Sequence, residues 1–271
     1  MTDADVIRAA ELALPAAASA SHLTRLRKLG LDYGPIAPLH FTIQGELHLA
    51  TEGIFLHRTK VMPPTDPEGV TPAAAFIGYA ASARIIDLIK VGDWLLHNEH
   101  MTIGSLVETA CRDRWRHGSM EAIWVTRFLD SRSRSLKESE TRAILVFAGL
   151  PVPEVNADLY DGERFIACVD LLYRFWRLVI EYEGRQHAKD PAQFNKDIGR
   201  YAAVRDGGYE YVQVTQEMLH RPRTLVMRVH SKLVERGYTG PAPVFAGRWR
   251  SLFERIPSRP RVRGELASTS S

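Results

Sequence analysis

The sequence predicts an α/β fold built on a partly antiparallel mixed sheet flanked by helices, and three observations predict it. From about Ser135 onward the apolar spacing alternates between helical and strand periods. Two strand-like runs, Phe165–Phe175 and Leu178–Tyr182, are too close in sequence for a crossover, so they pair antiparallel if Arg174 to Arg177 form the turn. Over 271 residues, 45% apolar and 25% charged content fit a soluble globular chain with room for two modest domains or one large one.

The elements follow in order. Asp3 to about Leu31 carries two helical patterns, one on Ile7, Ala10 and Leu14, the other on Leu23, Leu26 and Leu29. The second holds Arg25, Arg27 and Lys28 and stops at Gly30. Leu39–Ile43 and Gly53–Arg58 read as strands, with Gly45 and Glu46 between them. Pro63-Pro-Thr-Asp-Pro67 reads as a loop, since Pro lacks the N–H that a ladder or helix needs. Pro72 to about Asp130 is helical, with starts at Thr102 and Ser119 and weak points at Gly104 and Gly118. After the polar link Ser131–Arg134, a helix spans Ser135–Ala148 and ends at Gly149, where Pro151 and Pro153 block continuation. Strands are expected at Glu154–Leu159, Phe165–Phe175, Leu178–Tyr182 and Tyr209–Thr215, with helices at Pro191–Arg205 and Pro222–Glu235. The last helix ends before Gly237, so removing everything after about Gly240 is expected to spare the central fold.

Charge and composition bound the function classes. A formal net charge of +3 is too small to identify a partner. No apolar run approaches the length of a membrane span, and the N-terminus lacks a basic-then-apolar leader, which makes the cytoplasm the default expectation and a membrane partner an unsupported one. Two single cysteines, Cys111 and Cys168, give no disulfide framework.

The chemistry concentrates between Val169 and His187. Asp170 closes the apolar run Phe165-Ile-Ala-Cys-Val, and Glu181 follows Leu178-Val-Ile. A carboxylate in such surroundings is costly to desolvate unless a partner or a metal meets it. Strand alternation puts Glu181 and Glu183 on one side and Tyr182 on the other. With a hairpin turn at Arg174 to Arg177, Asp170 and Glu181 sit on neighbouring strands within reach of one hard cation, their oxygens within roughly 5 Å.

Residues 135–237 resemble the PD-(D/E)XK nuclease superfamily in its very-short-patch-repair-like branch. The likeness rests on Ser135-Leu-Lys-Glu138-Ser-Glu-Thr-Arg142, on Val169-Asp170-Leu, on Glu181-Tyr-Glu183-Gly-Arg-Gln186-His187, and on Asp197 followed by Gly208–Thr215. It implies a restriction-endonuclease-like mixed sheet flanked by helices, and a metal-dependent DNA endonuclease acting in phage defence, mobile-element biology or repair. It further implies Mg2+, or Mn2+, held by Asp170, Glu181 and Glu183, with Glu138 entering from the first helix. The superfamily's motif has lysine where Glu183 stands, so the general base is unassigned between Gln186 and His187 as water-orienting groups. Residues 1–130 resemble the N-terminal region of abortive-infection-type antitoxins, which implies a winged-helix-like DNA-binding region over 1–60 and a helical linker over 61–130. The nuclease domain then covers 131–239 and a basic flexible tail 240–271. The rival function is an antitoxin-type DNA-binding regulator whose nuclease fold is inactive. A homodimer is compatible with either, and no partner toxin is identified.

Plainer readings stand beside these. Ser135-x-x-Glu138 also matches a helix capping box, and Glu138 with Arg142 matches a surface ion pair. Local spacing does not choose between Glu138 and Glu140; the family motif favours Glu138. Asp170 alone could pair with Arg174 or Arg177. His97 and His100 have a spacing that zinc can use, but no further ligands follow, which favours an ordinary helix end. Candidate nucleic-acid contacts are Arg25, Arg27, Lys28, Arg142, Arg248, Arg250 and Arg255. The tail arginines are interleaved with Trp249 and Phe253, suiting phosphate neutralisation and base stacking.

Overall fold

The structure is a computed structural model that describes residues 2–183, 199 and 201–256. Helix α1 (Asp3–Ala13) opens on a capping box in which Thr2 Oγ1 accepts the Asp5 amide and the Asp5 carboxylate accepts that of Thr2. Its Ile7 and Ala10, with Leu14, bury against Ala20, Leu39 and Phe41, as the apolar spacing predicts. Helix α2 (His22–Lys28) follows, and Gly30 takes the left-handed φ of 101° that ends it.

Strand β1 (Ser19–Ala20) pairs antiparallel with β2 (Leu39–Gln44), and β2 pairs parallel with β3 (Ile54–Thr59). This is not the antiparallel hairpin that a winged helix carries behind its helices; residues 45–53 instead carry the chain back so that Leu39 meets Ile54. The Pro63–Pro67 segment corrects a second expectation. Thr65 and Asp66, lying between the prolines, keep their N–H groups and form a two-residue strand β4 (Thr65–Asp66) against β5 (Gly69–Val70).

The middle of the chain is α3 (Pro72–Ala80), α4 (Ile85–His97), α5 (Ile103–Arg112) and α6 (Ser119–Val125). Pro72 begins α3, where a missing N–H costs nothing. Thr102 caps α5 through the Ser105 amide at 3.0 Å. Gly118 caps α6 at φ 91°, pressed so close to α3 that a Cβ would lie 1.9 Å from the Ile77 carbonyl oxygen.

Helix α7 (Leu136–Phe147) is the hub. Ser135 Oγ accepts the Glu138 amide at its start, and Gly149 at φ 93° follows its end. Nearly every residue from Glu138 to Phe147 is buried, the mark of a helix enclosed on all sides. It lies among α4, the sheet, the helix Pro222–Glu235 and the short helix Gly247–Ser251.

The sheet runs β6 (Glu154–Asp161), β7 (Arg164–Tyr173), β8 (Leu178–Tyr182), β9 (Glu210–Val214), in that spatial order. The first two pairings are antiparallel and the third is parallel. The β7–β8 turn is one 3-10 turn, Arg174–Trp176, closed by Arg177 in the left-handed region. So the chain is a mixed α/β protein with mixed sheets flanked by helices. The expected helix Pro191–Arg205 lies mostly outside the described residues; 201–206 are helical.

One hydrophobic core runs without interruption from Leu26 through α3–α7 and one face of the sheet to Leu252, so the boundary expected at residues 130–131 does not divide the packing. The expected flexible tail is likewise corrected as far as Ile256. Trp249 is 3% exposed and Leu252 0%. The carbonyls of Glu254 and Leu252 accept the amides of Ile85 and Ile86 at 3.0 and 2.9 Å, satisfying N–H groups that the first turn of α4 leaves unpaired. Residues 247–256 thus return to cap the middle of the molecule. Among the described residues no helix is long and apolar enough to cross a membrane.

Candidate functional site

Across the sheet, the acids singled out by the sequence come to one level. The β7–β8 ladder pairs Tyr173 with Leu178, Leu172 with Val179 and Leu171 with Ile180. Continuing that register sets Asp170 opposite Glu181. The ladder stops there, and the Asp170 carboxylate accepts the Tyr182 amide at 2.9 Å, a donor that a further rung would have used. Arg174 pairs with Glu154 and Arg177 reaches the Gly207 carbonyl, so neither is the partner that the plainer reading offered Asp170.

Glu181 is 5% exposed, and the Tyr211 hydroxyl donates to it at 2.7 Å. Burial, then the neighbouring carboxylate, pushes the Tyr211 phenol far above its ordinary value, so at neutral pH it is a fixed donor. Tyr211 lies two residues before Gln213, which pairs with Glu181 in the parallel β8–β9 register.

Glu138 reaches the same level from α7. Its Oε2 accepts the Arg134 amide at 2.9 Å and the Asn156 side-chain amide at 2.7 Å. Asn156 falls between the rungs Val155–Leu171 and Ala157–Val169, level with Asp170, and takes a left-handed φ of 45°. Only half of the capping box forms: Ser135 caps α7, while the Glu138 carboxylate takes the Arg134 amide rather than that of Ser135 and turns to Asn156 on the sheet. Glu140 goes elsewhere, to Lys90 and Lys137 at 3.0 and 3.1 Å. The result is a row of Asn156, Asp170, Glu181 and Gln213, with Glu138 behind its first member and Tyr211 beside its third.

Other sequence-predicted residues fare differently. Glu183 is exposed just past β8, where its amide bonds the Val214 carbonyl, and Asp170, Glu181 and Glu183 do not bring three carboxylate oxygens within 4.8 Å of one another. The expected three-acid metal set is corrected in that respect, because Glu183 lies past the buried end of the strand. Gln186, His187 and Asp197 lie outside the described residues.

Four candidate nucleic-acid contacts are spent inside the protein. Arg142 is 6% exposed and pairs at 2.6 Å with Asp93, itself fully buried, tying α7 to α4. Arg25 bonds Asp66 and the Val70 carbonyl; Arg27 bonds Asp3 and the carbonyls of Tyr33 and Gly34; Lys28 bonds Glu11 and Glu68. A charge so paired and buried cannot also neutralise a phosphate without losing its partner. Arg248, Arg250 and Arg255 are exposed, with Arg248 over the Phe147 ring.

A second cluster went unread in the sequence. His22, His40 and His57 bring one ring nitrogen each to within 4.8 Å of one another, the only such three-ligand group among the described residues. They line a cavity of about 440 Å³ together with Thr42, Arg58, Asp113 and Arg116. Burial holds His57 down to about 4 and His22 and His40 below the ordinary imidazole value, with mutual repulsion adding to the effect at His22 and His57. No short spacing motif links the three in sequence; only the parallel pairing of β2 and β3 does. His97 and His100 behave as a helix end, with His97 bonded to the Ser131 carbonyl and His100 tilted against Trp94.

Compared with known proteins, the chain is 24% identical over 204 residues to uncharacterized proteins from two strains of Mycobacterium tuberculosis, CDC 1551 / Oshkosh and ATCC 25618 / H37Rv. The match covers 74% of this chain and 75% of each relative. No family model matches the chain. No solved structure matches it either.

Proposed function

We propose that this chain is a divalent-cation-dependent DNA endonuclease, with the restriction-endonuclease-like form of the α/β fold and the row at the parting of β7 and β8 as its site. The observation that carries the reading is the pair Asp170 and Glu181: two acids from adjacent strands, level with each other, where the ladder stops and a carboxylate takes over a backbone donor. Nothing in strand packing alone calls for acids there.

The donor set fits a hard cation. Both side chains offer carboxylate oxygen, with neither sulfur nor imidazole among the described members of the row, and Mg2+ or Mn2+ takes such ligands. Bound there, the ion would stabilise charge on the phosphoryl oxygens and lower the pKa of a water. The chain's own groups hold this arrangement in place. Tyr211 fixes Glu181 from β9, the Tyr182 amide fixes Asp170, and Asn156 with the Arg134 amide holds Glu138 at the row's edge. Glu183, Gln186 and His187 are the groups left to orient the attacking water. Arg248, Arg250 and Arg255 are exposed and would supply the charge that meets DNA phosphates.

Full-length protein incubated with supercoiled, linear and single-stranded DNA, and with RNA, with and without Mg2+, tests the reading. Wild type should cut DNA only with the metal. Asp170→Asn and Glu181→Gln should each lower cleavage by about 100-fold or more, because charge stabilisation in the transition state is the largest expected contribution. Binding without cleavage would favour the regulator instead. Cleavage retained by both variants, or absent from wild type on every substrate, would sink the enzyme.

A further inference from the structure

The three histidines are brought together by separate features of β2, β3, α2 and α3. On β2 and β3 the parallel register sets Thr42 against His57, and His40 lies two residues before Thr42, so all three share a face of the sheet. His40 Nδ1 and His57 Nε2 stand 2.9 Å apart. From the other side comes His22, the first residue of α2, held at a left-handed φ of 50° that a side-chain-bearing residue seldom adopts. Its ring packs against bare backbone of α3 at Gly78, where a Cβ would come within 2.9 Å of Cε1 and Nε2. Any larger residue at position 78 would evict the imidazole.

The surroundings match a ligand site rather than a plain stack. His22 Nδ1 is engaged by Ser21 Oγ at 2.9 Å, which leaves Nε2 as its second ring nitrogen. Metal-bound histidines usually have the far ring nitrogen anchored in this way. Next to the cluster, the cavity is lined by Arg58, Arg116 and Asp113, and Asp113 holds Arg116 at 2.8 Å. Space and polar groups are therefore available on one side of the three nitrogens.

We propose that His22, His40 and His57 form a three-histidine site for a borderline divalent transition metal, Zn2+ first among them, with its fourth position open to the cavity. Three imidazoles without carboxylate or thiolate suit Zn2+, Cu2+ or Ni2+ and not Mg2+, so this site is distinct from the row at β7 and β8. Three protein ligands plus an exchangeable fourth is the arrangement of zinc sites that bind water or an anion rather than only bracing a fold. Arg58 on the cavity wall favours an anionic occupant there, whereas Arg116 is already neutralised by Asp113. His22 and His57 are stacked with centroids 3.9 Å apart and planes 11° from parallel, so for both to ligate one ion, one of the rings would have to turn.

The test uses the full chain stripped with chelator and titrated separately with Zn2+, Co2+ and Mg2+. Calorimetry should give one Zn2+ per chain, and Co2+ should develop the intense visible absorption of a four-coordinate site. Mg2+ should do neither. Zn2+ at 100 times its Kd should raise stability by about 2.7 kcal/mol, seen as a higher thermal midpoint. His40→Asn and His57→Asn should abolish the Co2+ spectrum, while His97→Gln keeps it. Should a histidine variant fail to fold, Ser21→Ala serves in its place: it should keep the fold and weaken Zn2+ by about 10- to 100-fold. Absence of stoichiometric Zn2+ and Co2+ binding by wild type overturns the site, as does an unchanged Co2+ spectrum in folded His40→Asn. Either result leaves the Mg2+-dependent cleavage assay unaffected.

Discussion

Leu252→Ala separates a packed chain ending from a loose one. The side chain is 0% exposed and belongs to the main core, close to Trp249 and above the first turn of α4. The substitution deletes three carbons, worth about 2.4 kcal/mol at about 0.8 kcal/mol per buried methylene-sized group. A cavity contribution of about 24 cal/mol per Å³ adds up to about 2 kcal/mol if the site fails to collapse. The expected loss is therefore about 2.5–4.5 kcal/mol, a large fraction of the roughly 5–15 kcal/mol that holds a domain folded. A flexible tail would lose no more than about 0.5 kcal/mol. Urea unfolding followed by circular dichroism reads the difference as a midpoint shift at constant slope. If the midpoint stays within about 0.5 kcal/mol of wild type, the packing of 247–256 described above is wrong.

Arg142→Met strands Asp93 in the core and should cost about 3–5 kcal/mol in the same assay, with DNA affinity unchanged; the reverse pattern would return Arg142 to the phosphate-contacting role. Tyr211→Phe removes the donor to buried Glu181 and should cost about 1.5–3 kcal/mol, accompanied by slower metal-dependent cleavage, and loss of neither would remove Tyr211 from the site. Gly118→Ala meets both a left-handed backbone and the Ile77 carbonyl, so a loss of more than about 1 kcal/mol is expected in thermal melts. In metal-free protein the three half-buried histidines sit below the unfolded value of 6.5, with His57 at about 4. The unfolded chain therefore binds more protons across that window, and stability is full above pH 6.5 and declines as pH falls toward 4. Replacing His57 by Asn should flatten that part of the stability–pH curve, and an unchanged slope would contradict the burial of the cluster.

What could be read in advance was local. Thr102 and Ser135 announce helix starts because their hydroxyls satisfy amides within the next turn, and Gly149 announces an end because it alone takes φ 93° without strain. The short Arg174–Arg177 link fixed the hairpin, and the hairpin put Asp170 beside Glu181. What stayed hidden depended on distant segments. Nothing near Arg25 in sequence marks Asp66 as its partner, 41 residues away. Nothing in the basic, Pro-containing ending marks Trp249 and Leu252 as core, because their nearest apolar neighbours lie in other elements. Asn156 carries no signal in a strand pattern; its left-handed φ of 45°, which Asn is among the few residues to accept, shows only in the folded chain. The histidine cluster required knowing that β2 and β3 run parallel, and strand pattern alone does not give direction.

The uninterrupted core bears on how a chain of this kind can be rearranged. If residues 131–239 were a self-sufficient cassette, they could be moved onto another partner, or shed their own, without consequence. Helix α7 forbids this: with Ala143, Ile144 and Phe147 all buried in the same core as α3 and α4, excising the first half would lay a wide apolar surface bare to water. A laboratory fragment comprising only the sheet and its acids should therefore aggregate.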